Sequence, residues 1–288
     1  MEMNNKYDIS ERIGIMQGRL SKPVTDKIQA FPFNNWENEF KIASEIGYAC
    51  IEWVIDSKGI DSNPLFVDSK RRSIKNLINE FKITIPAICH DQLMDIPLHS
   101  KDENTASCAF NILKKTMEIC ENFGIKYIEI PLVGNSSLKT DSDFNSLVKQ
   151  LAKLDKKAKK YNIDFILETD LPPEQNVSLM KSMIGMSVGM NFDMGNSAYW
   201  SFNPDIELPQ IGPWIKNVHV KDCIPEIYTV PLGDGNVDFN KVFEHLKIQG
   251  YIGLFILQAA PASFGEEIEV AKHYYNFTKK LLTKYYES

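Results

Sequence analysis

The chain has 288 residues, 43% of them hydrophobic and 24% charged, and a net charge of -6. That is globular composition, long enough to bury a core without disulfide or metal staples. The acidic balance argues against a nucleic-acid partner, whose phosphates require Lys and Arg. No run of about 18 apolar residues suits a membrane span, so no membrane association is expected.

The first twelve residues, Met1 to Arg12, are polar and mixed in charge, and read as an N-terminal extension without the apolar stretch of a signal peptide. Ile13–Gln17 reads as a first strand, and Trp36–Ile46 as a helix closed by Gly47. Tyr48–Ile55 is a second strand and Ser69–Phe81 a helix with Ile74, Leu77, Ile78 and Phe81 on one face. Ile83–Cys89, Lys126–Ile130, Ile163–Glu168, Ser187–Asp193, Ile215–Val220 and Ile252–Gln258 supply six more strands. Between them lie helices at Thr105–Phe123, Asp141–Tyr161, Pro173–Ile184 and Phe239–Lys247, with a weak helix or irregular segment over Pro204–Gly212; Glu266–Tyr286 closes the chain. Eight strand–helix units in this length predict a single α/β domain, a closed (β/α)8 TIM barrel over residues 1–288. Neither GxGxxG nor GxxxxGK[ST] follows the first strand, which disfavours a nucleotide-binding open sheet. Five cysteines, an odd number with no CxxC spacing, point to reduced thiols and a cytoplasmic setting; Cys50 and Cys89 read as small buried hydrophobes.

In such a barrel chemistry gathers where the strands end. Strands five to eight end in, or carry near their ends, Glu168, Asp193, His219 and Gln258. A charged residue closing an apolar strand is costly unless paired or metal-bound. Two carboxylates, an imidazole and an amide oxygen suit a divalent metal, Mn²⁺, Mg²⁺, Co²⁺ or Zn²⁺.

The segments ILETDLPPE, NFDMGNSA, NVHVKD, VPLGDGNVDF and FILQ resemble those of the xylose-isomerase-like TIM-barrel superfamily, in particular its sugar-phosphate isomerase/epimerase members. The resemblance implies a small-molecule sugar or sugar phosphate as substrate. It also implies a metal held by Glu, Asp, His and Glu, which map onto Glu168, Asp193, His219 and, as a departure, Gln258. A His that such proteins often carry three residues after the strand-six Asp is here Asn196. Gln258 cannot serve as a base. Two-base epimerisation therefore loses a partner, and the reading moves to aldose–ketose isomerisation through an enediolate with Glu168 as base. A sugar 3-epimerase, an inosose-dehydratase-like lyase and a catalytically silent sugar-binding barrel stay open; an apurinic-site endonuclease fits the missing His and the acidic chain poorly.

Gln17, Arg19, Glu52, His90, Asn196 and Lys221 are the candidate substrate-binding residues, with Arg19 and Lys221 the cations suited to a phosphate or carboxylate. Trp53 reads as core. Asp170, Asp222 or His90 could stand in for the lost carboxylate. Homo-oligomerisation is left open.

Overall fold

The computed structural model describes residues 8–23, 29–225 and 227–287. Eight strands close into a barrel: β1 (Ile13–Met16), β2 (Cys50–Val54), β3 (Ala87–Cys89), β4 (Tyr127–Leu132), β5 (Asp164–Thr169), β6 (Val188–Asp193), β7 (Ile215–Val220) and, after a hairpin, β10 (Leu254–Leu257). All eight neighbouring pairs are parallel, and β1 pairs with β10 to close the ring. The hairpin comprises β8 (Asp222–Ile224) and β9 (Tyr228–Val230), paired antiparallel.

Period-two alternation sorts each strand between two environments. Ile51 and Trp53, Ile128 and Ile130, Phe165 and Leu167, Val218 and Val220 belong to the layer between barrel and helices. Trp53 packs there against Phe31, Trp36 and Phe40, and its indole N–H donates to Asn63 at 2.9 Å. The intervening residues face the barrel axis. On one side these are Met16, Cys50, Val54, Cys89 and Ile256, a small apolar cluster of their own. Gly14 lies among them because a Cβ there would stand 2.4 Å from the Cys50 sulfur and 2.5 Å from Ile256 Cδ1.

The helices cover the outside. α1 (Trp36–Ile46), α2 (Asp68–Phe81), α4 (Glu103–Phe123), α5 (Asp141–Tyr161), α6 (Pro173–Ser182), α8 (Pro204–Ile211), α9 (Phe239–Ile248) and α10 (Glu267–Tyr286) lie close to their expected positions. Gly47 and Gly124 end α1 and α4 as αL caps. No helix among the described residues is long and apolar enough to cross a membrane.

Three departures matter. The third strand begins only at Ala87, because Pro86 has no N–H to give to a ladder; its carbonyl accepts from Lys126 and Tyr127 instead. Two short helices, α3 (Gln92–Asp95) and α7 (Met194–Tyr199), and the β8–β9 hairpin were not anticipated. Finally, residues 1–7 of the expected N-terminal extension lie outside the described residues, while Ile9–Arg12 is a 3-10 turn packed on the barrel. Arg12 is buried, donates to the carbonyls of Tyr251 and Gly253, and lies over the rings of Phe255 and Tyr286.

Candidate active site

The same alternation delivers polar groups to the other side of the barrel interior. Glu52 of β2, Glu129 of β4, Glu168 of β5, Asn191 and Asp193 of β6, and Asn217 and His219 of β7 are all buried. His219 is their hub. Its Nε2 lies 3.2 Å from both Glu52 Oε1 and Glu129 Oε2, and its Nδ1 lies 3.3 Å from Glu168 Oε2. A single Nε2–H can serve one of the two acids, and Glu129 Oε2 has no other hydrogen-bond partner among the described residues. Asn217 donates to Glu52 Oε2 at 2.9 Å.

Glu168 is held from two sides. Asn191 Nδ2 donates to its Oε2 at 2.9 Å and lies 3.0 Å from His219 Nδ1, while Asn196 Nδ2 donates to its Oε1 at 2.6 Å. Asn196, on α7, is fixed in turn by its backbone N–H to Asp193 Oδ1. Lys221 Nζ sits 3.2 Å from Asp193 Oδ2 and 3.1 Å from Asn196 Oδ1, under the ring of Tyr228 at 5.0 Å.

These contacts set the charge states. Burial opposes the ionised form of Glu168, but the hydrogen bond and charge of His219, with Lys221, outweigh it and hold the carboxyl well below its ordinary range. Burial raises Glu129 strongly, and raises Asp193 against the pull of Lys221. Burial also opposes charge on His219, yet Glu129 and Glu52 raise its pKa.

A cavity of about 320 Å³ opens at the C-terminal ends of the strands, and Glu129, Glu168, Lys221 and Gln258 reach its wall. Gln258 donates from Nε2 to Gln29 Oε1 at 3.1 Å, and Gln29 Nε2 donates to Asp91 Oδ2 at 2.7 Å. Asp91 lines the same cavity, and burial lifts its pKa to about 6. The buried Oε1 of Gln258 has no hydrogen-bond partner among the described residues.

The structure thus brings Glu168, Asp193, His219, Glu52, Asn196 and Lys221 into one network, with Arg19 and Gln258 on the cavity wall. Lys221 pairs with Asp193, not with Asp222. Arg19 donates from Nε to the carbonyl of Ala259 at 2.9 Å. Two candidates are elsewhere. Gln17 is buried, and its Oε1 accepts from the backbone of Val54. His90 is buried against Thr116 of α4, outside the barrel, because Cys89 before it takes the inward position; burial lowers its pKa to about 3. Of the proposed substitutes for the lost carboxylate, His90 is therefore removed and Asp222 is engaged: its carboxylate accepts from the N–H groups of Cys223, Gly233, Gly235 and Val237. A Cβ at Gly235 would sit 2.2 Å from Asp222 Oδ1, so this close loop needs glycine there. Asn191, Asn217, Gln29 and Tyr228 are participants that the sequence did not single out. The first two lie one inward step before Asp193 and His219, a spacing that could have revealed them.

A family model described as xylose isomerase-like TIM barrel matches residues 40–279. The chain belongs to that family. L-ribulose-5-phosphate 3-epimerase UlaE of Escherichia coli (strain SMS-3-5 / SECEC) is 24% identical over 237 residues, covering 77% of this chain and 81% of the relative. A solved L-ribulose 3-epimerase superposes with a TM-score of 0.75 at 18% identity over 95% of both chains. The IOLI protein, solved with a zinc atom, gives 0.72 at 19% identity over 95% of this chain and 99% of the other.

Within this xylose isomerase-like barrel, the residues suit a divalent ion. Two groups of donors converge, Glu168–Asp193–His219 and Glu52–Glu129–His219, each with its ligand atoms within 4.8 Å of one another. Four buried carboxyl groups, those of Glu52, Glu129, Glu168 and Asp193, crowd around one lysine and one imidazole, an acid-rich setting that a further cation would relieve. Cys89, 3.4 Å from Glu129, offers no thiolate because burial pushes its thiol pKa well up.

Proposed function

We propose that this protein is a metal-dependent sugar isomerase that moves a proton at the carbon beside a carbonyl, with Glu168 as the base. The reading rests on one observation: a carboxyl group at the cavity wall, oriented by Asn191 and Asn196 and flanked by Lys221. Glu168, Asp193 and His219 are the residues that would hold the metal, with the unpartnered oxygen of Gln258 as a neutral fourth donor. The bound ion would polarise the substrate carbonyl. Glu52 and Glu129, on the Nε2 side of His219, favour a proton there and leave Nδ1 facing Glu168.

In aldose–ketose exchange Glu168 takes the proton from C2 and the electron pair moves to the carbonyl oxygen O1; the C2 hydroxyl then passes its proton to O1 and becomes the new carbonyl as the same carboxyl delivers a proton to C1. One base is enough. A general base of this kind contributes about 10²–10⁴-fold. Glu168→Gln is therefore expected to lower turnover by at least 10²-fold, and in D₂O the wild type places deuterium at C1 of the ketose. Full activity in the variant would remove Glu168 from the role.

A second reading, 3-epimerisation, is favoured by Asp91. Gln29 ties this carboxylate to Gln258, and its pKa of about 6 suits proton transfer near neutral pH. The named activities of the relatives agree with it. Deuterium at an inverted C3, lost in Asp91→Asn, would select this reading over the first.

A further inference from the structure

A second cavity, of about 600 Å³, adjoins the first and shares Val133 and Tyr228 with it. One side of its wall is aromatic. Tyr199 stands at the end of α7 with its ring 5.2 Å from those of both Trp200 and Tyr228, near-perpendicular to the former. Trp200 is 50% exposed and, with Tyr199 and Tyr228, forms a contiguous aromatic patch rather than a lone surface side chain. Tyr228 holds a φ of +78°, and Ser201, next to Trp200, one of +58°. Backbone strain of this kind persists where the surrounding structure enforces it, commonly at ligand sites. The polar lining comprises Asp170, which accepts from the Ser137 hydroxyl, with Lys139, Gln175 and Asn196. Flat rings beside a few hydrogen-bonding groups suit a pyranose, whose C–H face is apolar and whose rim is hydroxylated.

Size and charge narrow the substrate further. The first cavity alone lies at the low end of the ~300–1,000 Å³ range of small-molecule sites, and the pair together near the high end. The first cavity's wall carries Asp56, Asp91, Asp95, Glu129 and Glu168 against Arg19 and Lys221, and Lys221 is already bound to Asp193. A phosphate dianion would meet an acidic surplus there, which a divalent ion would reduce without reversing. Among the described residues the second cavity offers a single lysine, with Asp170 in the same wall.

We infer that the substrate is an uncharged two-unit sugar, a disaccharide or glycoside, whose reacting unit occupies the first cavity and whose second ring lies on the Tyr199–Trp200–Tyr228 shelf. The inference rests on the sugar-isomerase reading above, and the test separates the two. Calorimetric binding of cellobiose, maltose and lactulose is compared with that of fructose and fructose 6-phosphate, in the wild type and in Trp200→Ala, with Mn²⁺ present. Turnover of lactulose and fructose is followed in parallel. At least one disaccharide is expected to bind tenfold or more tightly than fructose and fructose 6-phosphate. Trp200→Ala is expected to lower the disaccharide-to-fructose affinity ratio tenfold or more. Failure of all three disaccharides to bind in the millimolar range, preference for fructose 6-phosphate, or an unchanged ratio in the variant would each overturn the inference. Tryptophan-dependent disaccharide binding without Glu168-dependent turnover would keep the subsite and remove the isomerase reading.

Discussion

Lys221 is the residue on which the candidate site's charge balance turns. Its ammonium is buried, kept charged by Asp193, Tyr228 and Glu168 against the cost of desolvation, and it bonds to the carboxylate and the amide that flank Glu168. Lys221→Met keeps the length of the stem but leaves Asp193 without its cation. Breaking a buried pair in this way costs about 3–5 kcal/mol, so the thermal midpoint of the metal-free protein should fall by several degrees. If Asp193 is also a metal ligand, Mn²⁺ should restore part of that loss, because an added cation fills the vacated charge. The metal-induced rise in midpoint should then be larger in Lys221→Met than in the wild type, and absent in Asp193→Asn. Equal rises in all three proteins would place the metal elsewhere.

At the scale of elements, the barrel and the strand-end donors were legible because apolar runs fix both the strands and their ends. Glu168, Asp193 and His219 each follow or interrupt such a run, so their position needed no loop geometry. His90 was misplaced because β3 has three apolar residues, Ala87, Ile88 and Cys89, that do not reveal which face is inward. The β8–β9 hairpin was missed because its strands have three residues each and no alternation, and with it Tyr228. Gln29 lies in a loop and reaches Gln258 across 229 positions, a contact that no local pattern encodes. Gly14 was also passed over, since inside an apolar strand it looks like a weak strand former. The structure makes it the point where β1 admits Cys50 and Ile256. Gly14→Ala should cost about 1–3 kcal/mol by overpacking. Cys50→Ala in the same chain removes the nearer clash and should recover at least half of that loss in urea denaturation; purely additive losses would show that the crowding lies elsewhere.

For the whole molecule, buried acids decide how stability changes with pH. Glu39 of α1 receives the N–H groups of Gly18 and Leu20 and the Ser21 hydroxyl, and so shapes the loop that carries Arg19. Glu207 of α8 is buried with the Ser197 hydroxyl as its partner. Burial raises both to a pKa of about 7 from an ordinary 4.5, hydrogen bonds offsetting only part of the effect. In the folded state each keeps a proton over an interval in which the unfolded chain has released it. Stability from these two groups is therefore complete below about pH 4.5, falls as pH rises to about 7, and is level above that. Glu168 acts in the opposite sense: its lowered pKa contributes stability that is present above 4.5 and lost as pH falls towards 2. Between pH 5 and 7.5 the raised acids Glu39, Glu207 and Asp91 act together and outnumber His90, whose lowered pKa acts in the opposite sense, so the urea midpoint should decline across that interval. Glu207→Gln tests the cause, since glutamine is close in shape to the protonated acid and cannot ionise. The variant should match the wild type at pH 5 and exceed it at pH 7.5 by up to about 3 kcal/mol, the size of a shift of this order at about 1.4 kcal/mol per pKa unit. Parallel pH profiles in the two proteins would show that Glu207 ionises in the folded state as easily as in the unfolded chain.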